Sequence, residues 1–256
     1  MTTHRIFNFS AGPAVLPEEV LLEARDNLLS LGSSGIGILE CSHRSKDFEA
    51  IIGEAEANLR KLLGIPSGYH VLFLSGGATT QFSMVPMNLL SAGGTADYID
   101  SGSWAEKAYK EAKKVGNAKL VATTKADNYS RLPLQSELQL TANADYVHMT
   151  SNNTIEGTEY STLPEVGDVP LISDNSSDMF SGPIDIAKHG LIYAGAQKNM
   201  GPAGVTLVII REDLVAKSVG NKALPTMLNY SVHAENTSLY NTPPAFGIYA
   251  VGLVVK

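Results

Sequence analysis

The sequence predicts an α/β fold, with a mixed but mostly parallel sheet flanked by helices. Short apolar runs alternate along the chain with longer segments of helical periodicity, which is the order of elements that builds a parallel sheet. Polar or glycine-rich segments follow several of these runs directly, at the strand ends where ligands of such folds bind. The predicted strands are residues 71–74, 96–99, 119–123, 145–149, 171–172, 191–194 and 205–210.

Composition narrows the class of protein. The chain has 256 residues, 44% of them hydrophobic, which is enough for one large globular domain. Its net charge of −7 argues against a nucleic-acid partner held through phosphates. The single cysteine, Cys41, allows neither an intramolecular disulfide nor a cysteine cluster for a metal. No window approaches about 18 consecutive apolar residues, and the first residues lack the apolar core of a signal peptide, so we expect a cytoplasmic protein without a membrane span.

Two helices are predicted before the first strand. Pro17 suits the first position of a helix that runs to Gly32. Ser45 is the predicted N-cap of the next helix, which stops at Gly64. Their apolar faces are predicted from spacing as Val20, Leu21, Ala24, Leu28 and Leu31, and as Phe48, Ile51, Ile52, Ala55, Leu59 and Leu62.

His43 and Arg44 lie in the loop just before the second helix. A solvated pair is one interpretation of these residues. The other is an anion site, because a guanidinium group binds carboxylate or phosphate through two parallel hydrogen bonds.

A glycine-rich segment follows the strand at residues 71–74. Residues 75–81 have the sequence SGGATTQ, in which two glycines lead from the strand into a helix. The first N–H groups of a helix have no intrahelical acceptor and lie at the positive end of the helix dipole, where phosphate binds. The segment therefore predicts a phosphate site, with an ordinary tight turn as the alternative.

Trp104 is the single tryptophan of the chain and follows the strand at residues 96–99. Ser103 and Glu106 have the spacing of a capping box, which predicts the start of a helix that extends to Gly116. A tryptophan at a helix N-terminus is either a core anchor or a platform on which an aromatic ligand stacks.

Three later strands bring further polar groups to the same edge of the sheet. The strand at residues 145–149 ends in the polar run 150–157, and the next two strands end close to Asp174 and Lys198. A carboxylate and an amine at neighbouring strand ends suit pyridoxal phosphate, whose aldehyde forms a Schiff base with lysine and whose ring nitrogen pairs with an acid. A surface aspartate and a surface lysine are the alternative.

The carboxyl-terminal part is less informative. Residues 212–219 predict a helix, and residues 234–244 predict an exposed loop. The apolar segment 246–256 has the character of a helix that stops early, so we expect a chain cut short. The predicted division is an N-terminal arm at 1–16 and one large domain at 17–256.

Eight segments give the chain a specific resemblance to a known family. They are FNFSAGPAVLP (7–17), ECSHRS (40–45), LFLSGGATTQF (72–82), DSGSW (100–104), SNNTIEGTEY (151–160), ISDNSSD (172–178), YAGAQKNMGPAG (193–204) and YNTPP (240–244). Over essentially its whole length the chain resembles phosphoserine aminotransferases, in the class-V group of fold type I pyridoxal phosphate enzymes. The resemblance implies the large cofactor-binding domain of that fold without the family's smaller C-terminal domain, in a homodimer with shared active sites.

The resemblance also implies a role for each matched residue. Lys198 would form the Schiff base and move the proton during catalysis, and Asp174 would pair with the ring nitrogen. Trp104 would stack on the ring, and Thr154 would bond its phenolic oxygen. The implied phosphate contacts are Ala78, Thr79 and Gln197, with Asn241 and Thr242 of the partner subunit, and the implied substrate contacts are His43 and Arg44.

The implied reaction transfers the amino group of L-glutamate to 3-phosphohydroxypyruvate and yields O-phospho-L-serine and 2-oxoglutarate, a step of serine biosynthesis. The related phosphohydroxythreonine step of vitamin B6 synthesis stays open. Another class-V aminotransferase, of the alanine– or serine–glyoxylate type, is an alternative. Cys41 precedes His43 instead of lying on a late loop, which counts against a cysteine desulfurase. A catalytically silent, cofactor-binding dimerisation fragment is the alternative from a different class.

Overall fold

A seven-stranded sheet forms the centre of the computed structural model, which describes residues 4–221 and 223–256. The strands in chain order are β1 (Tyr69–Leu74), β2 (Ala96–Asp100), β3 (Ala118–Thr123), β4 (Tyr146–Thr150), β5 (Asn152–Asn153), β6 (Thr158–Glu159), β7 (Leu171–Asp174), β8 (Leu191–Gly195) and β9 (Thr206–Arg211). β5 and β6 form a small hairpin outside the main sheet. All seven strands predicted from the apolar runs are therefore present.

The sheet is mostly parallel, as predicted. Its strand order is β1-β9-β8-β7-β4-β2-β3, and only β9 runs antiparallel to its neighbours. Parallel neighbours need a crossover of about a dozen residues or more. The connection from β8 to β9, residues 196–205, is shorter than that, so the chain reverses and β9 returns antiparallel.

Helices cover both faces of the sheet. They are α1 (Glu18–Asp26), α2 (Lys46–Leu63), α3 (Gly77–Leu89), α4 (Ser103–Val115), α5 (Glu212–Ala216), α6 (Tyr230–Glu235) and α7 (Ala245–Val254). The helices α2 and α7 pack on one face, and α3, α4, α5 and α6 pack on the other. Leu191 and Ile192, successive residues of β8, are fully buried on opposite faces, which shows that the middle of the sheet is enclosed on both sides.

The ends of the first two helices test the sequence prediction locally. Ser45 caps α2 as predicted, because its Oγ accepts a hydrogen bond from the N–H of Phe48 at 3.2 Å. In contrast, α1 ends at Asp26 and not at Gly32. The Asn27 side chain bonds the Glu23 carbonyl at 3.0 Å and the Gly32 N–H at 2.9 Å, so it replaces further helical hydrogen bonds with a turn.

Three leucines predicted to lie on apolar faces are substantially exposed. Leu21 and Leu28 are 39% and 38% exposed, and Leu62 in the last turn of α2 is 55% exposed. The early end of α1 takes Leu28 out of the helical register. For Leu62, the described part of the chain packs no element over that side of α2.

The segment 234–244 is not uniformly exposed, contrary to the prediction. Residues up to Glu235 belong to α6, and Ser238 is buried with its Oγ accepting the N–H of Phe73 at 2.9 Å. The segment lies against the free edge of β1 and supplies a hydrogen-bond acceptor there.

The helix predicted at residues 212–219 is present as α5, but it ends three residues early, at Ala216. The region 125–143 contains only two short 3-10 turns, Lys125–Asp127 and Gln135–Glu137. Within residues 4–221 and 223–256, no helix combines the length and the apolar character needed to cross a bilayer.

Candidate active site

A cavity of about 360 Å³ opens where β4, β7 and β8 end. This volume lies within the range of small-molecule sites, roughly 300–1,000 Å³. Six of the residues predicted to bind the cofactor line this cavity: Ala78, Thr79, Trp104, Asp174, Gln197 and Lys198. Thr154 is not part of the lining but contacts Lys198 directly. The polar segments that follow separate strands therefore meet at one edge of the sheet.

Asp174 is the last residue of β7 and is only 4% exposed. One of its carboxylate oxygens, Oδ1, accepts hydrogen bonds from the N–H and the hydroxyl of Ser176, at 3.0 and 2.6 Å. Burial raises the pKa of Asp174, whereas the two Ser176 hydrogen bonds and the charge of Lys198 lower it. The site thus holds a desolvated acid that gains from a cationic partner.

Lys198 follows β8 and is half-buried in the cavity wall. Its Nζ donates a hydrogen bond to Oγ1 of Thr154. Burial lowers the pKa of Lys198, and the charges of Asp174 and Asp178 oppose that change. A lowered pKa increases the fraction of neutral amine, which is the form that attacks a carbonyl carbon.

Thr154 lies in the β5–β6 hairpin, residues 152–159. Its hydroxyl accepts from Lys198 and donates to Oγ of Ser177 at 3.2 Å. These two hydrogen bonds orient the Thr154 hydroxyl so that its oxygen accepts from the Lys198 amine.

Trp104 lies in the first turn of α4. The Nζ of Lys198 is 5.3 Å from the centroid of its ring, and the Nζ of Lys107 is 4.2 Å away. Its Nε1 is buried and has no hydrogen-bond partner in the part of the chain that the structure describes. The indole is therefore a wall of the cavity, placed beside the reactive amine.

The start of α4 differs from the predicted capping box. The N-cap is Gly102, and Ser103 is the first helical residue. Glu156 caps the helix: its Oε1 accepts the N–H of Ser103 at 3.0 Å and the Ser103 hydroxyl. Glu106 instead forms ion pairs with Lys110 at 2.9 Å and Lys125 at 2.5 Å. Those two amines hold the Glu106 side chain away from the cap, so the prediction for it was wrong.

The glycine-rich segment has the geometry expected of an anion site. Gly76 and Gly77 have φ angles of +98° and +66°, in the left-handed region that favours glycine. A Cβ on Gly76 would lie 2.1 Å from Oγ1 of Thr80, so no larger residue fits there. The helix α3 starts here without a side-chain cap, and its first N–H groups lie beside Ala78 and Thr79 at the cavity.

Two lining residues lie outside the strand-end segments predicted to form the site. They are Gly12 and Ser176. Ser176 had a local signal, because a serine two residues after an aspartate is placed to bond its carboxylate. Gly12 had none: a Cβ there would lie 3.0 Å from Cγ of Lys198, and the neighbouring Ala14 N–H bonds the Gln197 carbonyl at 2.8 Å. These contacts come from the folding of residues 12–14 onto the β8–β9 connection.

Besides Thr154, four predicted residues lie outside the cavity of this single chain. His43 is half-buried, and Arg44, Asn241 and Thr242 are exposed. Asn241 lines a neighbouring cavity of about 230 Å³ that also touches Gly76. Any contact of these residues with a ligand in the Lys198 cavity needs another protein surface or a movement.

Comparison with known proteins decides the family. The sequence pattern described as Aminotransferase class-V matches residues 6–256. The chain belongs to the class-V aminotransferase family. It is 56% identical over 250 residues to a phosphoserine aminotransferase of Herpetosiphon aurantiacus, a match that covers 98% of this chain and 69% of the relative.

Solved structures of relatives have the same fold. A phosphoserine aminotransferase from Bacillus circulans subsp. alkalophilus superposes with a TM-score of 0.95 at 54% identity, over 98% of this chain and 69% of that one. A phosphoserine aminotransferase from Trichomonas vaginalis, solved with pyridoxal phosphate bound, gives a TM-score of 0.92 at 36% identity, over 98% of this chain and 70% of that one. The expected fold type I large domain is thereby confirmed.

Class-V aminotransferases depend on pyridoxal phosphate, and the cavity fits this group. The buried Asp174 carboxylate suits a protonated ring nitrogen, and the start of α3 suits a phosphate. Two buried polar atoms at the cavity, Oγ1 of Thr150 and Nε1 of Trp104, have no partner among the described residues. The chemistry of the donor set therefore agrees with the cofactor of the family.

Proposed function

We propose that this chain carries the cofactor site of a phosphoserine aminotransferase, which transfers the amino group of L-glutamate to 3-phosphohydroxypyruvate. The products are O-phospho-L-serine and 2-oxoglutarate, in serine biosynthesis. The observation that carries the proposal is the meeting of the Lys198 amine, the buried Asp174 carboxylate and the Trp104 ring in one cavity. The identity of 56% over 98% of the chain to a protein of that activity supports the choice of substrates.

Pyridoxal phosphate, when bound, supplies a carbonyl for the amino group and a ring that accepts the electron pair of the substrate Cα. The carboxylate of Asp174 stabilises the proton on the ring nitrogen. The low-dielectric surroundings strengthen this interaction, because burial disfavours an unpaired charge at Asp174. Trp104 lines the cavity, where its indole would stack on the ring and exclude water.

Lys198 performs the proton transfer in this proposal. Its pKa is lowered by burial, so the released amine accepts a proton from the substrate Cα more readily than an exposed lysine would near neutral pH. Thr154 holds that amine by a hydrogen bond and keeps it on the side of the hairpin. The amine would then deliver that proton to the cofactor carbon that carried the carbonyl, and the same residues would serve both half-reactions.

The proposal includes a homodimer. Asn241 and Thr242 are exposed and lie outside the Lys198 cavity of their own chain, which supports their use by the cavity of a second copy. The substrate site of the single chain is incomplete in the same way, because His43 and Arg44 also lie outside the cavity. We propose that these two residues face the anionic groups of the substrate. The division into an arm at 1–16 and a domain at 17–256, the cytoplasmic location and the lack of a nucleic-acid partner stay predictions.

A catalytically silent, cofactor-binding fragment is the second candidate. It is favoured by the position of His43 and Arg44 outside the cavity. Such a protein would bind the cofactor and dimerise but would not turn over substrate.

The deciding experiment measures 2-oxoglutarate formation by the purified chain with the cofactor, L-glutamate and 3-phosphohydroxypyruvate. The proposal expects turnover that is lost in Lys198→Ala and absent when glyoxylate replaces the phosphorylated acceptor. Turnover with glyoxylate alone would favour an alanine– or serine–glyoxylate aminotransferase. Cofactor binding without turnover on any acceptor would favour the silent fragment.

A further inference from the structure

The β5–β6 hairpin, residues 152–159, contacts two opposite walls of the cofactor cavity. On one side Thr154 accepts the hydrogen bond of the Lys198 amine. On the other side Glu156, two residues later, accepts both hydrogen bonds of Ser103 at the start of α4. One short segment is thus bonded to the reactive amine and to the helix turn that carries Trp104.

The Glu156 contact is a charged helix cap. A carboxylate at a helix N-terminus is favoured by the helix dipole and satisfies an N–H group that has no intrahelical acceptor. A single oxygen of Glu156 takes both Ser103 bonds, and the other oxygen, Oε2, is buried without a partner among the described residues. The side chain is therefore held in place by Ser103 alone.

A second contact of the hairpin lies on the other side of Trp104. Asn153 is fully buried; its Oδ1 accepts the N–H of Ala105 at 3.4 Å, and its Nδ2 donates to Oγ of Ser101 at 2.9 Å. A Cβ on Gly102 would lie 2.4 Å from Cγ of Asn153, so the hairpin and the helix start are in close contact. The residues before and after Trp104 are both bonded to the hairpin.

We propose that Glu156 is a positioning residue: its carboxylate fixes the first turn of α4 and so sets the indole of Trp104 against the amine of Lys198. This inference rests on the proposed function, because the indole is the surface that covers the cofactor ring. Glu156 itself does not line the cavity. It acts through Ser103, and the Thr154 contact with Lys198 does not depend on its side chain.

That independence predicts a separation of two measurable properties. Glu156→Ala removes the cap, so the Trp104 ring moves away from its stacking position, while Lys198 keeps its acceptor. The covalent capture of the cofactor by Lys198, measured by mass after borohydride reduction, is therefore retained. We expect the affinity for pyridoxal phosphate to fall about fivefold, which assumes that the helix stability lost with the cap is lost in full from cofactor binding. A general collapse of the site would remove capture as well.

The experiment uses the fluorescence of Trp104, the only tryptophan in the chain. Pyridoxal phosphate is titrated into the wild type, Glu156→Ala, Glu156→Gln and Glu106→Ala. Quenching at saturation should be weaker in Glu156→Ala, and the emission maximum of the cofactor-free variant should shift to longer wavelength. Glu156→Gln should restore both, because its amide oxygen still accepts the Ser103 N–H. Glu106→Ala, at the position that the sequence predicts as the cap, should match the wild type.

The inference would be overturned by wild-type quenching and emission in Glu156→Ala, by an equal effect of Glu106→Ala, or by a lack of rescue in Glu156→Gln. Loss of capture together with quenching in Glu156→Ala would also overturn it, in favour of a purely structural role. A wild-type chain that neither captures nor is quenched by pyridoxal phosphate would instead refute the proposed function. The emission maximum of the cofactor-free variants would still test the position of Trp104.

Discussion

Ser176 donates two hydrogen bonds to the same oxygen of Asp174, from its N–H at 3.0 Å and from its hydroxyl at 2.6 Å. The same hydroxyl accepts the N–H of Gly195 at 3.0 Å. Asp174 ends β7 and Gly195 ends β8. The Ser176 hydroxyl therefore links the ends of two adjacent strands, because it bonds the carboxylate of one and the N–H of the other. The Asp174 carboxylate is held in one orientation before any cofactor binds, with one oxygen left for another partner.

Ser176→Ala should therefore change the pH dependence of cofactor binding. The hydroxyl bonds the ionised carboxylate and lowers its pKa, so its loss lets burial raise the pKa of Asp174 further. Asp174 then takes up a proton at a higher pH, and affinity for pyridoxal phosphate is lost at a higher pH as acid is added. At neutral pH we expect about tenfold weaker binding, the effect of one hydrogen bond to a charged group. Trp104 quenching measured from pH 5 to 8 checks this.

Ser181→Ala is the matched control for Ser176→Ala, because the Ser181 hydroxyl bonds only the Asp178 carbonyl and its side chain is exposed. This variant should bind the cofactor as the wild type does. Equal pH profiles for Ser176→Ala and the wild type would show that the hydroxyl does not hold Asp174 in its ionised form.

Lys198→Ala should abolish covalent capture of the cofactor, whereas Lys107→Ala should leave it unchanged. Both amines lie near the Trp104 ring, and that of Lys107 is the closer one. Only Lys198 also lines the cavity that contains Asp174. Intact mass after borohydride reduction, followed by peptide mapping, identifies the modified lysine. Capture that persists in Lys198→Ala would contradict the assignment of this residue.

Predictions from the sequence succeeded where the signals are local. Apolar runs interrupted by glycine or polar residues identify strands, and the carboxyl ends of parallel strands must meet, so Asp174 and Lys198 were placed together. The cap of α4 was not predictable, because Glu156 is 53 residues from Ser103 and only the tertiary fold brings them together. The local capping-box pattern instead predicts Glu106 as the capping residue. That prediction was wrong, because Lys110 and Lys125 form ion pairs with the Glu106 side chain.

Asp174→Asn should stabilise the cofactor-free protein while weakening cofactor binding. Burial raises the pKa of Asp174, so the folded state loses stability as the pH rises through that pKa and the carboxylate ionises. An amide removes this cost and can still accept the Ser176 bonds. We expect an increase in Tm of about 2–4 °C at pH 7, the shift that about 1 kcal/mol produces in a domain of this size. Thermal unfolding at pH 7 and pH 4 measures it, and the gain should shrink at pH 4.

An Asp174→Asn protein with a lower Tm at pH 7 would show that the carboxylate stabilises the fold instead. In the same variant, affinity for pyridoxal phosphate should fall by at least tenfold, because the ring nitrogen loses its charged partner. Opposite signs for stability and affinity are the expected mark of a residue kept for binding.

The rate of covalent capture should rise with pH and level off below the pH at which free lysine does so. Only the neutral amine attacks the cofactor, and burial lowers the pKa of Lys198 below its usual 10.5. Asp174 raises that pKa, so Asp174→Asn should move the midpoint to lower pH. Stopped-flow absorbance between pH 7 and 10.5 gives the profile, with Nα-acetyl-lysine as the reference amine. A midpoint equal to that of the reference would contradict the burial effect.

Ser238→Ala should destabilise the fold although the segment around it has the composition of an exposed loop. Ser238 is 2% exposed, and its hydroxyl is the acceptor for the N–H of Phe73 on β1, at the edge of the sheet. Without that acceptor a buried N–H is left unsatisfied, which costs about 1–3 kcal/mol in the free energy of unfolding. Urea unfolding measures this loss. The exposed neighbour, Thr237→Ala, should stay within about 0.5 kcal/mol of the wild type, and an equal effect of both changes would assign the loss to the turn and not to the bond with Phe73.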